Sequence, residues 1–274
     1  MQGSTLELVM MAATLAGAGL ASGVLSGLFG VGGGAILVPI LSAAFAVLGT
    51  DPAHVAHLAV GTSLGIIVPT TIQSYKAHRS RGMGNAALLK RWRLFVPAGV
   101  IVASFIVGFV SGDVLRSVFV VVAVVIAAKM LFLPKGWYLA KDLPSKPVTD
   151  GVGFGIGFIS TFMGIGGGNL NNLFMTLFGQ PMHQAVATSA GLGPLVAIPG
   201  VIGYMISGWG ADGVPPLSIG HVNLAALALV APFAMLAAPI GATLAHKLSA
   251  RKLEIAFALF LVSVAVRMSM DIFA

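Results

Sequence analysis

The chain has 274 residues, 57% hydrophobic and 8% charged, with a mean hydropathy of +1.00. A soluble domain carries about 25% charged residues, so this composition excludes a water-soluble globular protein and implies an all-α polytopic membrane protein. Net charge is +7 and cysteine is absent, which excludes disulfides, thiolate chemistry and thiol-based metal sites.

The N-terminal stretch MQGSTLELVMMAATLAG lacks the positive start of a secretory leader and carries Glu7. Its apolar run also continues too far for a cleaved leader, so it is expected to be the first span. Hydropathy gives ten segments, at about 6–29, 33–48, 54–75, 94–111, 113–134, 150–163, 167–179, 183–206, 221–245 and 251–272. A full crossing needs about 20 residues. Segments 150–163 and 167–179 fall short and are expected as half-helices or a re-entrant hairpin. Lipid tolerates these only where protein or a watery cavity covers the irregular backbone.

The order of segments repeats. GVLSGLFGVGGG (23–34) aligns without a gap on GFISTFMGIGGG (157–168), and HLAVGTSLG (57–65) aligns on HQAVATSAG (183–191). VLRSVFVVVAVVIAAKM (114–130) aligns more weakly on KLEIAFALFLVSVAVRM (252–268). The expected organisation is a first half at 1–134, a linker at 135–149 and a second half at 150–274. Each half holds five segments, an odd number, so the two copies enter the membrane from opposite sides, an inverted-topology repeat with broken or re-entrant helices at its Gly-rich motifs.

Charge placement agrees with that organisation. Twelve of the 15 Lys and Arg fall in three stretches, 76–93, 135–146 and 247–252. All three come to one side under this topology, as the positive-inside rule requires. That side is the cytoplasm, and both termini are expected outside, consistent with Glu7 and Asp271. The clusters flank spans and lack interleaved aromatics, so nucleic acid is not an expected partner.

The glycine motifs carry the candidate site. A phosphate-cradling loop needs a preceding strand, and a P-loop also needs a following Lys-Ser/Thr; neither occurs. Close helix packing explains many of the 36 glycines. It explains less well why two segments break at matching places. Unwound glycine backbone exposes N–H groups, and the following half-helix offers its positive end. Gly32, Gly33 and Gly34 with Gly166, Gly167 and Gly168 are therefore candidate anion-binding residues. Asn169, Asn171 and Asn172 join them, because amides in an apolar run require partners. Thr62, Ser63, Thr188 and Ser189 offer hydroxyls that could equally bond back to their own helices. Gln73 is a lone amide late in its span. His57 and His183 correspond in the two halves, each beginning a segment near an interface. Lys129 and Arg267 also correspond and are expected to snorkel. No span holds a central Asp or Glu, which argues against a carboxylate-based cation or proton site.

GLFGVGGGAILVPIL, the later AVGTSL, and GIGGGNLNN with AVATSA resemble the TauE/SafE family of membrane transporters over nearly the whole chain. The resemblance implies a carrier in the bacterial inner membrane that exports sulfite or a small sulfonate such as sulfoacetate. A passive anion channel, or an uptake carrier for another small carboxylate or sulfur anion, fits the same residues. The expected partners are a small anion, the lipid bilayer and, as one option, a second copy of the chain. An enzyme is not expected, because paired in-span Asp, HExxH and a nucleophilic Cys are all missing from the sequence. No cofactor or metal is implied.

Overall fold

In a computed structural model, which describes residues 5–82, 84–132 and 137–273, the apolar segments become helices in the expected order. They are α1 (Thr5–Phe29), α2 (Gly34–Val47), α3 (Pro52–Arg79), α4 (Ala86–Val107), α5 (Gly112–Phe132), α6 (Lys146–Met163), α7 (Gly168–Leu177), α8 (Met182–Ser207), α9 (Leu224–Lys247) and α10 (Ala250–Phe273). Six of these, α1, α3, α5, α8, α9 and α10, contain a window long and apolar enough to cross a membrane. The chain is a nearly all-helical, multi-pass membrane protein.

Local chemistry sets the helix starts. Asp51 Oδ1 accepts from Ala53 N at 2.9 Å, and Pro52 occupies the first turn of α3. Asn85 Oδ1 accepts from Leu88 N (2.9 Å) to open α4, and Asn223 Oδ1 accepts from Ala226 N (2.8 Å) to open α9. Lys76 and Arg79 lie in the last turn of α3, where positive charge complements the carbonyl end.

Three details are added to the expected fold. A two-residue antiparallel hairpin, β1 (Ser218–Ile219) and β2 (Val222–Asn223), precedes α9 in the otherwise helical fold. That helix therefore begins at 224 rather than 221. The fourth segment begins at 86 rather than 94, so residues 86–93 are helix and not loop. Its charges are accommodated: Arg91 Nη2 donates to Asp150 Oδ2 at 2.6 Å, and buried Trp92 donates from Nε1 to the Thr149 carbonyl at 2.8 Å. The sixth segment begins at Lys146, within the span expected as linker. The side chains of Glu7 and Asp271, and residues 133–136, lie outside what is described.

α3 is the central helix, with 83% of its apolar window buried against 33% for α5. α3 packs on α8, α1 on α9, α4 on α6 and α5 on α10. Glycines bring two of these pairs into backbone contact. A Cβ on Gly27 would overlap the Ala238 carbonyl across α1 and α9, and one on Gly99 would overlap the Phe154 carbonyl across α4 and α6. The three basic stretches meet at one end of the bundle. His78 Nδ1 lies 3.1 Å from His246 Nε2, Arg81 donates to Thr243 Oγ1 (2.9 Å), Leu139 N bonds the Leu177 carbonyl (2.7 Å), and Arg251 donates to the Met130 carbonyl (3.0 Å).

Candidate functional site

Two breaks in the helical backbone lie at the glycine motifs. After α1 the chain runs through Gly30–Gly33 and restarts as α2; after α6 it runs through Gly164–Gly167 and restarts as α7. The residue before each restart is a glycine in the left-handed region, Gly33 with φ 75° and ψ −2°, and Gly167 with φ 77° and ψ −6°. An L side chain is strained in that conformation. The cap positions of α2 and α7 are these glycines, which have no side chain to cover the first-turn N–H groups.

The breaks touch each other reciprocally. A Cβ on Gly34 would overlap the Gly164 carbonyl, and a Cβ on Gly168 would overlap the Gly30 carbonyl. Gly34 and Gly168 thus serve close approach, and Gly167 supplies the conformation that unwinds the chain. Gly33 does both, because it holds that conformation and a Cβ there would overlap the side chain and carbonyl of Ser22.

Hydroxyls and amides lace the breaks. Ser63 Oγ donates to the Gly164 carbonyl at 2.9 Å. Asn172 Nδ2 donates to the carbonyl of Phe29, the last residue of α1, at 2.8 Å. Ser189 Oγ accepts from Asn171 Nδ2 (2.7 Å) and donates towards Asn172 Oδ1 (2.9 Å), with the Gly168 carbonyl 3.2 Å away. Thr62 and Thr188 have a different attachment. Thr62 Oγ1 accepts the backbone N–H of Asn223, the cap of α9, at 2.9 Å. Thr188 Oγ1 accepts that of Asn85, the cap of α4, at 2.9 Å and donates to the Gln184 carbonyl at 2.7 Å.

Most of the candidate donors are therefore engaged within the protein. Asn169 is different. It is 2% exposed, and neither its Nδ2 nor its Oδ1 has a hydrogen-bond partner. Asn171 Oδ1 and the hydroxyls of Ser22 and Ser26 are likewise buried without partners. An unsatisfied buried polar group costs about 1–3 kcal/mol, so these atoms are the ones at which a bound polar ligand would gain most. Gln73 lies half-buried on α3. Sequence reading passed over Asn85, Asn223 and Ser22. The first two carried a usable signal, an Asn directly before an apolar helical run.

Among the charged residues, Lys129 is half-buried and bonded within the protein. Its Nζ donates to Thr176 Oγ1 at 2.7 Å, and Thr176 in turn bonds the Asn172 carbonyl on α7 at 2.7 Å. His57 and His183 each close a helix C-terminus. His57 Nε2 donates to the Val107 carbonyl at the end of α4 (3.1 Å), and His183 Nε2 to the Leu248 carbonyl at the end of α9 (3.0 Å).

A family model described as sulfite exporter TauE/SafE matches residues 15–268, nearly the whole helical bundle with both glycine breaks. The chain belongs to the TauE/SafE family. It is 32% identical over 255 residues to a Haemophilus influenzae protein named a probable membrane transporter protein, covering 91% of this chain and 95% of that one. Two more family relatives carry the same designation. One from Methanocaldococcus jannaschii is 26% identical, covering 91% of this chain and 92% of that one. One from Bacillus subtilis is 26% identical, covering 85% and 88%. No solved structure matches the chain.

Proposed function

We propose that the chain is a secondary carrier that exports a small oxyanion, sulfite or a small organosulfonate such as sulfoacetate, by alternating access. The anion is held between the uncapped starts of α2 and α7, with Asn169 as the principal side-chain donor. The observation that carries this reading is the buried, unpartnered Asn169 amide beside two glycine breaks in contact. Helix N-termini and amide donors complement oxyanion oxygens without a buried cation. The designation of the family and the names of three relatives support transport.

The inverted repeat is part of the proposal, and several paired contacts support it. α1 packs on α9 as α6 packs on α4. Gly34 meets Gly164 as Gly168 meets Gly30. Thr62 meets Asn223 as Thr188 meets Asn85, and His57 meets Val107 as His183 meets Leu248. Each pairing exchanges the two halves. With the basic end of the bundle in the cytoplasm, α3 starts outside and both chain ends lie outside in an inner membrane. A cytoplasm negative by 100 mV then favours anion efflux by about 2.3 kcal/mol per charge.

Counterflow in proteoliposomes tests the reading. Vesicles preloaded with unlabelled sulfite are expected to accumulate labelled sulfite transiently, with a rate that saturates. Flux that rises linearly and ignores the internal anion would make the protein a channel. Absence of flux for sulfite and for sulfonates would remove the substrate assignment.

A further inference from the structure

All six histidines gather at the two ends of α3. His78, His183 and His246 lie at the basic end, and His54, His57 and His221 at the opposite end. The second group lines a cavity of about 600 Å³ together with Ser207 and Trp209. His54 Nδ1 lies 3.1 Å from His221 Nε2, and the His57 and His221 ring centres are 5.0 Å apart. Ser207 Oγ is 3.4 Å from His221 Nδ1. His57 and His221 are each only 5% exposed. Because His57 Nε2 is engaged by the Val107 carbonyl, its Nδ1 remains buried without a partner.

The lining contains no carboxylate. The charged groups on the surrounding elements have other roles or positions: Asp51 caps α3, Asp113 pairs with Arg116 at 2.8 Å, and Asp212 lies in the exposed turn after α8. The N-terminal ends of α3 and α5 face the cavity, but so do the C-terminal ends of α4 and α8, so their dipoles oppose one another. The imidazoles then set the sign of the site. Nor do the three rings point at one ion: two face each other in a hydrogen bond and the third bonds a backbone carbonyl, and among the described residues no group of His, Cys, Asp or Glu is arranged to hold a metal.

We propose that this cavity is a second docking site for a small oxyanion, which binds together with a proton taken up by His221, the ring that packs against both His54 and His57. Burial, with His57 and His54 alongside, holds His221 down to about 4 from its ordinary 6.5, so the His221 ring is neutral at pH 7 in the empty cavity. An anion in the cavity offsets that penalty and raises the pKa, so anion and proton bind cooperatively. Affinity therefore rises as the pH falls from neutral towards 4. The inference rests on the proposed carrier reading for its direction: the cavity faces the outside, where an exported anion leaves or rebinds.

The test is calorimetric titration of the purified full chain with methanesulfonate, which stays anionic throughout, between pH 7 and pH 5 in two buffers of different ionisation enthalpy. The expected result is proton uptake on binding and an affinity that increases towards pH 5. Both are expected to vanish in His221→Gln and to shrink in His54→Gln, whose ring is only half-buried, and to persist in Asn169→Leu. Binding with no proton uptake, or uptake unchanged in both folded histidine variants, would overturn the inference. Sulfite counterflow in the same histidine variants keeps the two readings apart. Retained counterflow leaves the carrier reading standing when the cavity fails. Lost counterflow in the parent chain removes the carrier reading while proton-linked binding still supports the cavity.

Discussion

Thr62 on α3 holds the backbone N–H that opens α9, accepting from Asn223 at 2.9 Å, and Thr188 on α8 does the same for α4 through Asn85. Both threonines are fully buried. The hydroxyls are thus joints between helices. Thr62→Val and Thr188→Val keep the shape but leave a buried N–H without an acceptor, at about 1–3 kcal/mol. Each is expected to lower the melting temperature of the purified protein and to leave sulfite affinity unchanged. A Thr variant of normal stability that loses affinity would move that hydroxyl into the binding site.

Conformation and contact are separable at Gly167 and combined at Gly33. Gly33→Val and Gly167→Val force a β-branched residue to φ near 75°, a region essentially closed to such residues. Both are expected to abolish sulfite counterflow; inserted protein is expected to persist in Gly167→Val and to fall in Gly33→Val, whose side chain also meets Ser22. Gly34→Ala and Gly168→Ala keep an accessible φ but drive a Cβ into the opposite break. Those two are expected to fail earlier, as loss of stable protein in detergent. Normal counterflow by Gly33→Val or Gly167→Val would reduce that glycine to packing.

Topology is open to chemical labelling because the chain has no cysteine of its own. Ser80 and Ser249 are exposed at the basic end, and Asp212 is exposed at the other. In intact cells a membrane-impermeant thiol reagent is expected to label Asp212→Cys and to spare Ser80→Cys and Ser249→Cys. Labelling of Ser80→Cys from outside would contradict the proposed orientation.

What the sequence made legible follows from which forces are local. The order of the helices and the unwinding at Gly33 and Gly167 were readable, because hydropathy and backbone sterics act over a few residues. The start of α4 was not. Lys90, Arg91 and Arg93 look like a loop until Asp150, on another helix, pairs with Arg91. The asparagines show the same limit. Asn169, Asn171 and Asn172 stand within four residues of each other, and only the partners at Phe29 and Ser189 distinguish the engaged amides from Asn169. His54 and His221 are 167 positions apart, so their meeting depends wholly on the fold.

The central claim is that the unpartnered amide of Asn169 awaits the anion, and one titration tests it most directly. Asn169→Leu removes two buried polar atoms that bond nothing in the protein, so the fold is expected to be as stable as the parent or more so. A hydrogen bond to a charged acceptor contributes about 1.5–3 kcal/mol, and about 1.4 kcal/mol is a factor of ten in affinity. Calorimetric titration of purified Asn169→Leu with sulfite is therefore expected to show affinity about tenfold to a hundredfold weaker, with an unchanged or higher melting temperature. Sulfite binding as tight as in the parent chain would contradict the account.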